Sequence, residues 1–269
     1  MEWNKEAAEA IKKVPFFVRK RVKARVEEEA QRSGSNMVTL EHVRTCQQRF
    51  LHKMEEEVKG YEVETCFGPT GCPNRAIQTE ALAVELERIL AKHDLKTFLR
   101  GMVKGHLKMH HEFRLSVSDC PNACSRPQIV DLGLIGAAKP MVTDEECSNC
   151  GGCVEACKES AIELDEQGPT ISFDKCLFCG ACIRQCPTGT ISEEKSGYRI
   201  LVGGKLGRHP RLAEDMGEIF PVEALPRVVD TVVEFYKRHC KPGERLGGTI
   251  ERQGIEGLVA KMKNRGLLT

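Results

Sequence analysis

The sequence has almost no net charge and no long apolar run, and each absence argues against a class of function. Forty Lys and Arg stand against 39 Asp and Glu over 269 residues. Nothing in the overall charge therefore points to nucleic acid or an acidic membrane surface, and any charged site has to be local. No uncharged apolar run approaches the roughly 18 residues of a membrane span. The opening residues, Met1-Glu2-Trp3-Asn4-Lys5, lack a basic stretch followed by an apolar one, so no secretory leader is expected. The expectation is a cytoplasmic, reducing compartment, with no nucleic-acid partner and no membrane span.

What the sequence does have is patterned cysteine. Its fourteen cysteines are too thinly spread for a small disulfide scaffold, yet ten of them fall in two runs and one close pair, which points to metal ligation. A chain of this length holds one sizeable core and a smaller module. Ala7, Ala10, Ile11 and Val14, then Val18, Val22 and Val26 after Pro15, predict two helices over residues 4–31. A third is expected over 40–58, capped by Thr39. Leu82, Leu86, Ile89 and Leu90 predict an amphipathic helix starting at Thr79 and ending near His93. Residues 114–118 alternate with period two and predict a strand running into Cys120. Residues 129–135 and 198–202 are further strands, 230–238 a late helix, and the tail after Lys241 gives no clear pattern. The cysteine-dense segment lies between two of those strands, as a module inserted into a host α+β domain would.

The first run is Cys147-x2-Cys150-x2-Cys153-x3-Cys157 and the second Cys176-x2-Cys179-x2-Cys182-x3-Cys186, followed by Pro187. Every cysteine recurs 29 residues later, and Gly151, Val154 and Ile162 recur as Gly180, Ile183 and Ile191. Three soft thiolates two residues apart on a tight loop can face three irons of one cubane, and the fourth ligand has to come from elsewhere. Zinc knuckles, the alternative, lack this nested spacing. The runs resemble bacterial two-cluster ferredoxins, in which the last cysteine of each run serves the other cluster. That resemblance implies one 4Fe-4S cluster on Cys147, Cys150, Cys153 and Cys186, and another on Cys176, Cys179, Cys182 and Cys157. Lys158 stands where the usual pattern has Pro, a departure that removes no ligand.

Cys66-x5-Cys72 and Cys120-x3-Cys124 form a separate set. Together with the 133–136 segment Gly-Leu-Ile-Gly and the 203–207 segment Gly-Gly-Lys-Leu-Gly, they resemble the C-terminal half of the siroheme-dependent sulfite and nitrite reductases, over roughly residues 60–260. Dissimilatory members of that family carry a ferredoxin module at the same place. The resemblance implies a third 4Fe-4S cluster on these four cysteines and a siroheme whose iron shares the Cys124 thiolate; a third cluster without siroheme is the alternative. Siroheme carries many carboxylates, so Lys104, His106, Lys108, His110, Arg114 and Arg126 are candidate contacts, with Gly203-Gly204 a close backbone approach. The first four alternate with apolar residues, as along one face of a strand, although an exposed, solvated edge reads the same way. Gly68 and Gly71 are expected in turns, and Cys46 and Cys240 as small buried hydrophobes.

Residues 1–58 resemble instead the small C-terminal helical domain of the B subunit of dark-operative protochlorophyllide reductase, through Trp3, Glu6-Ala7, the Lys13-to-Arg19 segment, Glu29-Ala30, Gly34 and Thr39-Leu40-Glu41. The basic stretch Arg19, Lys20, Arg21, Lys23 and Arg25 is either a docking face or a solvated helix surface.

The expected architecture is α+β: a helical domain at 1–58, a reductase-like half domain at 60–140 and 196–269, and an inserted ferredoxin-like module at 141–195. The resemblance implies an oxidoreductase that takes electrons from a redox donor protein or subunit and passes them to a small anion such as sulfite or nitrite. A non-catalytic electron-transfer or tetrapyrrole-handling subunit is the competing expectation. In the reductase family the cations that grip the anion come largely from the other half, so a homo-oligomer or a partner subunit is one way to complete the pocket, and the sequence does not choose. It names no catalytic residue.

Overall fold

The computed structural model describes residues 1–78 and 81–268, so Thr79, the expected start of the fourth helix, lies outside the described residues. The backbone gathers into two compact units, one of residues 1–58 with 105–110, the other of residues 59–104 and 111 onward.

In the first unit, strand β1 (Glu2–Trp3) leads to α1 (Lys5–Lys12) and α2 (Phe16–Arg32). Strand β2 (Met37–Val38) then pairs parallel with β1, and α3 (Leu40–Glu57) closes the unit. Asn4 caps α1 by accepting the Ala7 N–H at 2.8 Å. Pro15 separates α1 from α2 because it cannot donate within a helix interior. His42 Nδ1 accepts the Thr39 N–H at 3.0 Å at the start of α3. Ala7, Val26, Ala30 and Val38 form the core, with Trp3, Val22, Val43 and Cys46 against it. Cys46 is therefore only half-buried.

The second unit is built on a five-stranded sheet. Its elements in chain order are β3 (Tyr61–Thr65), α4 (Leu82–Lys92), α5 (Leu95–Met102), β4 (Phe113–Ser118) and β5 (Leu132–Val142). Then come α6 (Gly152–Ala156), β6 (Ile162–Asp165), β7 (Gly168–Ile171), α7 (Ala181–Gln185), β8 (Ile191–Val202) and β9 (Glu214–Phe220). Helices α8 (Leu225–His239), α9 (Leu246–Gln253) and α10 (Glu256–Asn264) end the chain. The strand order is β3-β4-β5-β8-β9, parallel from β3 to β5 and antiparallel from β5 to β9. This mixture of helices and a mixed sheet is an α+β fold.

Helix α8 is buried along most of its length through Val228, Val229, Val232, Val233, Phe235 and Tyr236. Tyr236 meets Phe98 edge-on at 5.7 Å and Phe113 at 5.8 Å. The helix starts five residues before the expected 230, with a proline in its first turn, where no N–H is missed. The tail after Lys241 forms α9 and α10 rather than an irregular segment. Residues 127–129 are a tight 3-10 turn, so β5 starts at Leu132 instead of residue 129.

The segment expected as a strand at 104–110 is a different structure. Residues 103–106 bend, and 109–111 make a 3-10 turn. Gly105 sits at φ +83°, which breaks an extended run. Lys104, His106, Lys108 and His110 consequently share no strand face. The chain divides inside them, Lys104 belonging to the second unit and the other three to the first.

Strands β5 and β8 pair antiparallel from Leu132 opposite Val202 to Val142 opposite Ile191, and all of α6, β6, β7 and α7 lies between them. The 29-residue repeat is visible in the backbone. Asn149 and Phe178 take φ of 54° and 61°, Gly151 and Gly180 take 72° and 68°, and Ser160 and Gly189 take 50° and 78°. Helices α6 and α7 occupy matching positions, each entered from its left-handed glycine. Cys153, Cys182, Ile162 and Ile191 make one small core where the two repeats meet.

Candidate metal centres

The fold gathers the cysteines into three sets. One cavity is lined by Cys147, Cys150, Cys153 and Cys186, and its remaining walls come from the same segment, among them Leu164, Pro169 and Thr190. A second cavity, of about 120 Å³, is lined by Cys157, Cys176, Cys179 and Cys182, together with Cys120, Pro121 and Asn122 from the end of β4. In both, three thiols of one run share a space with the last cysteine of the other run. Backbone N–H groups point at the sulfurs. Asn149 donates to Cys147 Sγ at 3.4 Å, Ala161 to Cys157 Sγ at 3.3 Å and Ile191 to Cys186 Sγ at 3.3 Å.

Cys66, Cys72, Cys120 and Cys124 are brought together by parallel pairing. Thr65 at the end of β3 sits opposite Val117 near the end of β4, so the residues that follow, Cys66 and Cys120, leave the sheet at the same edge. Gly68 and Asp119 donate their N–H groups to Cys66 Sγ at 3.2 and 3.3 Å. Cys72 follows a 3-10 turn closed by Gly71 at φ 102°. The loop from Cys120 to Cys124 is held to β4 by three serines. Ser116 Oγ donates to Ser125 O at 2.6 Å, Ser118 and Ser125 share a 2.7 Å hydroxyl contact, and Ser125 Oγ donates to Val117 O at 2.8 Å. Cys120 is buried while Cys124 is exposed.

The donor chemistry suits a cationic group in each set. Burial raises the Cys120 pKa, and the neighbouring Cys66, Cys124 and Cys72 thiols raise it further. Burial likewise pushes Cys182 up to about 11, and it raises Cys153 and Cys176, with the thiols sharing their cavities adding to each. Cys150 moves the other way, held low chiefly by the Gly152 N–H. Clustered thiols that repel one another as thiolates need compensating positive charge, which bound iron supplies. Among the described residues no three His, Cys, Asp or Glu side chains form a site for a single metal ion. A tetrahedral zinc site would hold its sulfurs roughly 3.8 Å apart, from the Zn–S length of about 2.3 Å.

The other predicted site residues are less unified. Arg114 pairs with Glu62 at 3.2 Å and Arg126 with Glu64 at 2.8 Å, both carboxylates on β3. His106 Nδ1 meets Glu55 at 3.1 Å, and Lys104 and Lys108 are exposed. At Gly203 and Gly204 the backbone also packs closely on the rest of the chain. A Cβ on Gly204 would lie 2.5 Å from Gln128 O, and one on Gly203 would lie 2.8 Å from the Ile250 side chain. These glycines let the chain after β8 lie against its own neighbours.

Sequence reasoning misses Arg75 and Asp119. Asp119 is buried beside Cys120, accepts the Tyr198 hydroxyl at 3.0 Å and stands 3.8 Å from Arg75 Nε. A Cβ on Gly68 would collide with its carboxylate, so the Gly68 turn and Asp119 are packed as one piece. No sequence spacing announces this contact, because it joins residues about fifty positions apart.

The fold and these thiol sets together define a domain of the iron-sulfur class. The chain belongs to the family described as the nitrite and sulphite reductase 4Fe-4S domain, which matches residues 60–266. Residues 3–46 match a second family, described as the proto-chlorophyllide reductase 57 kD subunit. Among similar proteins is the coenzyme F420-dependent sulfite reductase of Methanocaldococcus jannaschii, 39% identical over 155 residues, covering 57% of this chain and 25% of that protein. A polypeptide of the anaerobic sulfite reductase of Salmonella typhimurium is 30% identical over 107 residues, covering 39% of this chain and 26% of its own length. A dissimilatory sulfite reductase crystal structure shares the fold, with a TM-score of 0.53 at 17% identity, over 80% of this chain and 57% of that one. The chain thus spans about a quarter of the length of the Methanocaldococcus and Salmonella relatives. Among the described residues no helix is long and apolar enough to cross a membrane.

Proposed function

We propose that this chain holds three 4Fe-4S clusters and acts as the electron-delivering, siroheme-bearing half of a reductase for a small anion such as sulfite or nitrite. The carrying observation is that three sets of four cysteines each surround one volume or one sheet edge. In this reading Cys147, Cys150, Cys153 and Cys186 hold one cluster, Cys157, Cys176, Cys179 and Cys182 the second, and Cys66, Cys72, Cys120 and Cys124 the third. Cys124, which is exposed, is the thiolate that would be shared with siroheme iron. Iron-sulfur clusters supply one-electron transfer when bound. The chain's own part is to bury Cys120, hold the Cys120–Cys124 loop on β4 through Ser116, Ser118 and Ser125, and stabilise thiolates with N–H donors.

A second reading, a non-catalytic electron-transfer or tetrapyrrole-handling subunit, is favoured by one observation: Arg114 and Arg126 are paired with Glu62 and Glu64 rather than aimed together at a site. Reduction of an anion needs cations around the developing charge. Under the reductase reading they come from a partner subunit or a second copy of the chain. The two readings separate on protein prepared anaerobically from a host that makes siroheme. About twelve irons, at four per cluster, with an extractable tetrapyrrole and viologen-driven turnover of sulfite or nitrite supports the reductase. Twelve irons without tetrapyrrole or turnover supports the carrier.

A further inference from the structure

The inserted module packs against its host where β5 passes the second cysteine run. Ala138 in β5 donates its N–H to Phe178 O at 2.7 Å and forms a parallel bridge with Cys179. Gly180 packs so tightly here that a Cβ would lie 3.0 Å from that of Ala138. Arg184, on α7, donates from Nη1 to Cys179 O at 3.3 Å and to Arg75 O at 3.2 Å. Arg75 in turn donates to Gly68 O at 3.1 Å and Ile77 O at 3.2 Å, and stands beside Asp119. Asp119 and Gly68 are the residues whose N–H groups meet Cys66 Sγ. A single nitrogen on Arg184 therefore touches the backbone of a cysteine in the module and of the loop that supports the Cys66 thiol. The cavity of Cys157, Cys176, Cys179 and Cys182 opens onto Cys120 at the same place, whereas the cavity of Cys147, Cys150, Cys153 and Cys186 is walled by module residues alone.

We propose that Arg184 is a positioning residue that fixes the separation between the Cys157/Cys176/Cys179/Cys182 set and the Cys66/Cys72/Cys120/Cys124 set, so that this module site, and not the other, adjoins the host site. The proposal rests on the three-cluster reading above. Its physical content is distance: electronic coupling between two redox groups falls steeply with separation, and Arg184 ties the two loops that set it. The chemistry required is donation to two carbonyls at once, which a methionine of similar length cannot supply and a lysine supplies through one ammonium.

The experiment uses the full chain, loaded anaerobically with iron and sulfide and reduced with a viologen radical. Arg184→Met and Arg184→Lys are compared with the parent for iron content, for electron paramagnetic resonance splitting between reduced groups, and for hydrogen exchange at the Ala138 amide. The expected result is unchanged iron in Arg184→Met with lost splitting, an Ala138 amide exchanging about tenfold faster, and partial recovery of both in Arg184→Lys. Parental splitting in a fully loaded Arg184→Met overturns the proposal, as does loss of iron from the module, which makes Arg184 a support for the ligand loop. An Ala138 amide that exchanges at the parental rate overturns it whatever the iron content. Iron missing from the parent's host set refutes the three-cluster reading instead, and is seen before any variant is made.

Discussion

Asp131 is buried between β4 and β5, where its carboxylate accepts the Arg114 N–H at 2.8 Å and Arg245 Nε at 3.3 Å, with Arg245 Nη2 also bonded to it. Burial works against the Arg245 charge, and the adjoining Asp131 carboxylate outweighs it, so the Arg245 pKa is raised. Removing one partner strands a buried charge, which costs about 3–5 kcal/mol. Arg245→Met is therefore expected to lower unfolding stability by that amount in urea. The double variant Arg245→Met/Asp131→Asn should lose less than the two single losses summed, because the pair is coupled. Glu244, the preceding residue, behaves differently. Bonds from Arg252 at 2.8 and 2.9 Å outweigh its partial burial and bring its carboxyl from the ordinary 4.5 to about 2. Folded protein thus binds fewer protons than unfolded protein between those values. The contribution is whole above pH 4.5 and lost as pH falls toward 2. Thermal unfolding across that window should show a steeper acid loss in the parent than in Glu244→Gln.

At the scale of elements, the two repeats exchange their fourth cysteines. Cys157 ends α6, yet it lines the cavity of Cys176, Cys179 and Cys182. Cys157→Ser is therefore expected to remove about four irons from the site whose other ligands follow it in sequence, leaving the earlier site intact by resonance spectroscopy. Loss of the earlier site alone would refute the crossed arrangement. The sequence makes the cysteine runs, β4 and α1 to α3 readable because each is a local pattern: fixed spacing, period two, or apolar residues one turn apart. It hides α5 because Asp94 takes a left-handed φ of 45° and starts a second helix directly after α4. It misleads at 104–110 because cations alternating with apolar residues look like a strand face, and only the backbone shows the break at Gly105. It hides Arg75 and Arg184 because both donate to carbonyls, and any residue can supply a carbonyl.

For the whole molecule, the position of the module predicts how separable it is. Strands β5 and β8 stay in register from Leu132 opposite Val202 to Lys139 opposite Lys195, before the irregularity at Pro140. The hairpin of the host is thus complete without the inserted residues, and a long insertion between paired strands costs little closure entropy. Replacing residues 140–194 with Asn-Gly, the two-residue turn suited to the twist of antiparallel strands, should leave the Cys66/Cys72/Cys120/Cys124 set on a folded host. The host core of Leu115, Leu132, Leu134, Tyr198, Val228 and Tyr236 lies outside the deleted stretch. What is lost at the junction includes the Ala138 bond to Phe178, the Arg184 bond to Arg75 and the exposed Lys139 bond to Glu194, hydrogen bonds at about 1 kcal/mol each or less. Iron content after anaerobic loading should fall from about twelve to about four per chain, with circular dichroism retaining the helices. A shortened chain that folds and binds no iron would mean that the module completes the host site rather than adjoining it. One that fails to fold would mean that the β5–β8 hairpin depends on the module for its register.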